Sequence, residues 1–240
     1  MAKIIRMASH IANEEEIVKK IGKAIGRKMV LDYEENETIE LDMNEPGATV
    51  NKAGRVFNLQ LCFAGIKTLD KITPYIVQLK QLEELKLNSN EIGDISSLSQ
   101  LAGLKKLNSL DIGNNKIADL SPIAGLTTLA HLYANNNPFT DLTPLSGMDK
   151  LEELFLYGSN ETDLSPMKCM TSMEHLILDE LGITDISALE NLEKLNYLQL
   201  SKNLISDISP LQNLKHITTL LLDNNKLEEL PSWFLDWGLD

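Results

Sequence analysis

Between residues 107 and 230 one 22-residue phrase returns six times. Its first apolar residue is Leu107, Leu129, Leu151, Met173, Leu195 and Ile217; three residues on come Leu110, Leu132, Leu154, Leu176, Leu198 and Leu220. An acidic residue recurs at the same interval, as Asp119, Asp141, Asp163, Asp185, Asp207 and Glu229. Five of these open the phrase Asp-(Ile/Leu)-(Ser/Thr)-x-(Leu/Ile/Met). An earlier copy of that phrase begins at Asp94, after a repeat that starts at Leu82 and runs three residues longer. A worn copy begins near Val56, with Leu59, Leu61, Ile66 and Leu69, which makes eight units. A unit this short cannot bury its own leucines, so the units must stack on one another.

The spelling within a unit predicts its local structure. Alternation around Leu110 and Ile112 reads as a short strand with its apolar face inward. The Asn after the strand (Asn90, Asn115, Asn137, Asn203, Asn225) is expected to turn the backbone and to bond neighbouring turns through a buried amide. The recurrent Asp is expected to cap a tight or short helical turn on the outer side, and Pro122, Pro144, Pro166 and Pro210 suit the first turn of such a segment.

The pattern Leu-x-x-Leu-x-Leu-x-x-Asn-x-Ile stands cleanly over residues 82–92, 107–117 and 195–205. It resembles the leucine-rich repeat family, and the phrase Asp-Ile-Ser-Pro-Leu resembles its 22-residue, internalin-like class. The resemblance covers residues 56–235. It implies an α/β fold: a right-handed solenoid with a parallel sheet on the concave face, 3-10 or irregular turns on the convex side, and an N-terminal helical cap. It also implies ligand binding on the concave face. The expected division is a cap over residues 1–55, repeats over 56–230 and a C-terminal cap over 231–240.

At the start, residues 13–28 read as an amphipathic helix. Asn13 can cap it, Glu14, Glu15 and Glu16 suit its positive end, and lysines and arginines follow. Ile17, Ile21 and Ile25 recur on one face, while Gly22 and Gly26 weaken the helix by about 1 kcal/mol each. A basic helix of this kind could lie on a membrane surface. The preferred reading is a cap on the open end of the leucine stack, which a solenoid needs. Residues 29–33 and 38–43 read as a hairpin or irregular first strand, and 44–54 as a loop. At the far end Trp233, Phe234 and Trp237 replace the usual turn, either to cap the last layer or to lead into a further domain.

Motifs for chemistry are missing. Gly22-Lys23-Ala24-Ile25-Gly26 lacks the spacing and the hydroxyl of a phosphate-cradling loop, and no Cys-x-x-Cys or His-Glu-x-x-His occurs. No catalytic residue, cofactor or metal is assigned, and the chain is read as a non-enzyme. The formal net charge of −13 argues against nucleic acid as a partner. Seven acidic and no basic residues fall in 31–48. No signal peptide or membrane span is legible, so the expected compartment is the cytoplasm, with the sequons at Asn36 and Asn160 read as chance. Cys62 and Cys169 fall in repeats too far apart to bridge, so two free thiols are expected.

One surface stands out. Positions 3 and 5 of each unit point away from the core. Position 5 reads Asp111, Tyr133, Phe155, Ile177, Gln199 and Leu221. Tyr133, Phe155 and Ile177 are adjacent and form one apolar patch, joined by Tyr157 and Tyr197. His131, Glu153, His175, Asn135 and Asp179 supply a polar rim. An apolar centre with a polar rim is how contact surfaces look. The His131, Glu153, His175 series is read as a solvated ladder with Glu153 steadying a charged imidazole, rather than as a metal site. Nearby the pattern breaks: Ser159 and Leu181 replace the Asn, and Glu161 replaces an inward Ile. Glu161 is therefore expected to turn outward or the backbone there to depart from its neighbours. The function read from all this is protein–protein recognition by a monomer, with a partner of unknown identity and no membrane. Other readings are a regulatory subunit of an intracellular enzyme such as a protein phosphatase, the sensing fragment of a larger signalling protein, and a secreted adhesin.

Overall fold

The computed structural model describes residues 2–33, 45–158 and 163–237. The chain falls into two compact units, residues 1–116 and 117–240.

The first unit opens with helix α1 (Ala2–Ile25). It starts well before the expected cap: Asn13 lies inside it, because nothing between residues 2 and 13 breaks a helix and Asn is only a weak breaker. Its end explains both glycines. The Gly26 N–H bonds to the Lys23 carbonyl and the Arg27 N–H to the Gly22 carbonyl, at 3.3 and 2.9 Å, with Gly26 at φ +69°. This is a left-handed stop. A Cβ on Gly22 would lie 2.7 Å from both the Arg27 carbonyl oxygen and Met29, so the returning chain needs glycine there. Ile17, Val18 and Ile21 are buried. Glu14 is buried with them and accepts hydrogen bonds from the Arg55 guanidinium at 2.6 Å and from the Val56 N–H at 2.7 Å. The helix is thereby clamped to the strand that begins at Val56.

The strands of this unit are β1 (Val30–Tyr33), β2 (Gly47–Val50), β3 (Val56–Gln60), β4 (Glu84–Lys86) and β5 (Ser109–Asp111). β1 pairs with β2 in parallel, β2 with β3 antiparallel, and β3, β4 and β5 in parallel. The antiparallel pair among the described strands of this unit is β2 with β3. Residues 47–50, read as loop, form a strand that turns back through Asn51, whose side-chain oxygen accepts the N–H groups of Ala53 and Arg55. Residues 38–43 lie outside the described residues. Glu84 registers with Ser109, and the three extra residues of this repeat are taken up in a longer outer 3-10 segment, Ser96–Gly103.

The second unit holds β6 (His131–Tyr133), β7 (Glu153–Phe155), β8 (His175–Ile177), β9 (Tyr197–Gln199) and β10 (Thr219–Leu221). The pairings that join β6 to β7, β7 to β8, β8 to β9 and β9 to β10 are all parallel and in step with the 22-residue repeat. Opposite the strands run 3-10 turns, among them Ser121–Ile123, Thr143–Leu145, Ser187–Leu189 and Ser209–Leu211. Leu132, Leu154, Leu176 and Leu198 are fully buried between the two layers. Trp233, Phe234 and Trp237 pack on one another at the end, with Trp233 and Trp237 centroids 5.2 Å apart.

Two side-chain devices repeat in both units. Asp94, Asp119, Asp141, Asp163, Asp185 and Asp207 each accept the N–H of the Ser or Thr two residues on, at 2.7–2.9 Å, and so open the outer turn. The Asn series forms the expected amide clamp: Asn115 donates to the Leu87 and Ile112 carbonyls and accepts the Ile92 N–H. The backbone reversal, however, falls one residue earlier than expected. Ser89, Asn114, Asn136, Lys202 and Asn224, each just before the clamping Asn, carry φ between 53° and 58°. The turn thus separates two duties, a left-handed residue and an amide that satisfies the backbone it exposes.

Candidate functional site

Residues 3 and 5 of a unit share a strand face because side chains alternate along an extended chain, and parallel register places equal positions side by side. In the second unit His131, Glu153, His175 and Tyr197 are consecutive cross-strand partners, as are Tyr133, Phe155, Ile177 and Gln199. All eight are half-buried, whereas the leucines between them are fully buried. Tyr133 and Phe155 meet edge to face, with centroids 4.9 Å apart. Such pairs contribute about 0.5–1.5 kcal/mol beyond their area.

Glu153 is the hub of the polar row. It accepts the Tyr133 hydroxyl at 2.5 Å and contacts His175 Nδ1 at 3.0 Å; His131 Nδ1 lies 3.3 Å away, close enough for an ion pair but outside hydrogen-bond geometry. Burial pushes the Glu153 carboxyl up, but the Tyr133 and His175 hydrogen bonds and the two imidazole charges outweigh it and hold the group below its ordinary value. The ladder read from the sequence is therefore centred on Glu153, which is hydrogen-bonded to Tyr133 and His175. Among the described residues no group of three or more His, Cys, Asp or Glu side chains is placed to hold a metal ion.

A second chain of bonds flanks the patch. The Tyr197 hydroxyl donates to Gln199, and Gln199 donates to Asp179, whose other oxygen accepts the Ser201 N–H at 2.6 Å. Burial raises the Asp179 carboxyl against these bonds. The Tyr197 ring stands edge-on to His175 at 6.1 Å. Gln199 was legible only as a polar interruption of position 5; its bridging role depends on side-chain reach that spacing does not encode.

The structure thus brings Tyr133, Phe155 and Ile177 together, with His131, Glu153 and His175 on one side and Tyr197 and Asp179 beyond. Tyr157, just after β7, is 37% exposed. Asn135 does not join the rim. It is only 7% exposed, because the chain turns inward to the clamp of Asn137 immediately after β6. Of the irregular positions, Ser159 and Glu161 lie outside the described residues. Leu181 is buried, and its N–H bonds to Asn203 one repeat on.

A family model described as leucine-rich repeats (2 copies) matches residues 80–125. No curated protein sequence matches the chain. Among solved structures, internalin C2 of Listeria monocytogenes strain 4b F2365 superposes with a TM-score of 0.70 at 26% identity, covering 92% of this chain and 88% of that one. Internalin F of the same strain is 26% identical over 89% of this chain and 70% of its own, with a TM-score of 0.49. A leucine-rich repeat protein of Leptospira interrogans shares the fold, with a TM-score of 0.59, 24% identity and coverage of 67% of this chain and 48% of that one.

Proposed function

The chain is a leucine-rich repeat protein of the internalin-like class, and from that premise we propose that the open sheet face of its second unit binds a protein partner without catalysing a reaction. Leucine-rich repeat domains generally mediate protein–protein interaction and serve as non-enzymatic scaffolds. The observation that carries the reading is the registered row of Tyr133, Phe155 and Ile177, three large apolar side chains left half-exposed on adjacent strands. A solvent-facing cluster of this kind costs solubility unless it is covered, and aromatic anchors are where binding energy concentrates. His131, Glu153, His175, Tyr157, Tyr197 and Asp179 are its proposed periphery. We further propose a cytoplasmic location, where an exposed free thiol such as that of Cys169 stays reduced.

The test is paired substitution, Tyr133→Ala with Phe155→Ala, in the full chain used as bait in extracts of the native cell. Both side chains are half-exposed, so the circular dichroism spectrum should hold. Partners captured by the wild type should bind the double variant at least about 30-fold more weakly, the loss of one hot spot. Equal capture of every partner contradicts the reading.

A further inference from the structure

The charge of the molecule is divided as unevenly as its apolar surface. Residues 1–116 hold 16 acidic and 16 basic residues and are neutral; residues 117–240 hold 19 acidic against 6 basic. The whole formal charge of −13 therefore resides in the unit that carries the patch. The asymmetry persists at the strands themselves. In the segments 130–136, 152–158, 174–180, 196–202 and 218–224, six acidic residues stand against Lys202 alone. That lysine is engaged by Glu180 at 2.5 Å. Glu152 and Asp223 are exposed and Glu174 half-exposed, and among the described residues none of the three has a cationic partner in an ion pair. Glu153 is closed off by Tyr133 and two imidazoles, and Asp179 by Gln199 and Ser201. Exposed, unneutralised acid thus flanks the strands that carry the apolar centre.

Resting on the reading of this face as a protein-binding site, we infer that its partner is a cationic protein segment, with lysine or arginine side chains set around one or two large apolar anchors. An acidic or neutral partner would leave Glu152, Glu174 and Asp223 facing like charge or buried without a counter-ion, which an interface rejects. A cationic one is drawn in by the field of the whole unit and neutralises these groups as its anchor reaches Phe155. This division of labour also sets the kinetics: acids govern the rate of encounter, and the aromatic pair governs residence.

A random peptide display library selected on the full chain, and counter-selected on the Phe155→Ala variant, reads the partner class directly. Peptides that depend on Phe155 should carry net positive charge and an aromatic or aliphatic anchor. A synthesised winner should associate about tenfold or more slowly at about 500 mM than at about 50 mM salt. It should slow similarly on a Glu152→Gln, Glu174→Gln, Asp223→Gln triple variant, with dissociation little changed. Phe155-dependent peptides that are neutral or acidic, or association indifferent to salt and to the triple variant, overturn the cationic partner while leaving the face as the site. A library without any Phe155-dependent enrichment overturns the site and the inference together.

Discussion

Asn203 holds Leu181 from one repeat away: its side-chain oxygen accepts the Leu181 N–H at 3.1 Å, and the Ile183 N–H at the same distance. Its amide nitrogen donates to the carbonyls of Leu178 and Leu200. Leu181 occupies the place where its own repeat should carry the clamping Asn, so Asn203 ties a repeat that lacks the clamp to one that has it.

Asn203→Ala should therefore be far costlier than an ordinary polar deletion. It leaves buried N–H and C=O groups unpaired, each worth about 1–3 kcal/mol, for a total loss of about 2–5 kcal/mol. The exposed Asn213→Ala should change stability by no more than about 0.5 kcal/mol. Urea midpoints of the two variants check this; equal midpoints would show that the clamp contributes nothing.

The outer turns predict acid sensitivity. Hydrogen bonds from the hydroxyl and N–H of the Ser or Thr two residues on hold Asp94, Asp119, Asp141, Asp185 and Asp207 below the ordinary carboxylate value. A carboxylate depressed in the folded state adds stability above its unfolded value, about 3.9, and that stability is lost as pH falls through the depressed folded values. Asp111 and Asp179, raised by burial, act with the opposite sign. The urea midpoint should drop below about pH 4, and less so in Asp119→Asn with Asp141→Asn, which keep the acceptor oxygen but not the proton site. A midpoint flat from neutral pH to about pH 3 contradicts the turn mechanism.

Much of this was legible beforehand, and for one reason. A period read along the chain becomes a neighbour relation across it, so the spacing alone places Tyr133, Phe155 and Ile177 side by side. What escaped depends on single positions rather than on the period. The left-handed residue before each Asn has no fixed spelling, being Ser89, Asn114, Lys202 or Asn224, because the clamp rather than the residue type enforces the turn. The strand Gly47–Val50 lies outside the repeat and carried only a weak alternation. Asn135 looked outward by counting but is drawn in where the strand ends. Gly22 and Gly26 read as weaknesses of a helix they in fact terminate.

The two thiols should differ in reactivity. Cys169 is exposed, whereas Cys62 is buried, donates to the Asn88 side chain at 2.8 Å and is pushed up by burial to about 11. At pH 8 a thiol reagent should label one cysteine quickly and the other only on unfolding, since the thiolate is the reactive form. Labelling of both at one rate contradicts the burial of Cys62.

Tyr133→Phe removes one of the hydrogen bonds that hold the Glu153 carboxyl down. The Glu153 titration, followed by carboxyl carbon NMR, should move upward in this variant while the patch keeps its ring. An unmoved titration means the hydroxyl is not bonded there in solution.

Strand residues 22 apart are lateral neighbours with their side chains turned to solvent, and both the stacking and the patch depend on this. A nuclear Overhauser experiment on protein labelled at its aromatic rings and isoleucine methyls measures this most directly. Cross-peaks should link the Tyr133 ring to the Phe155 ring, and the Phe155 ring to the Ile177 methyls, with all three broadened by a soluble paramagnetic agent. Missing cross-peaks between these rings and methyls, or signals shielded from the agent, would contradict both the stacking and the surface built on it.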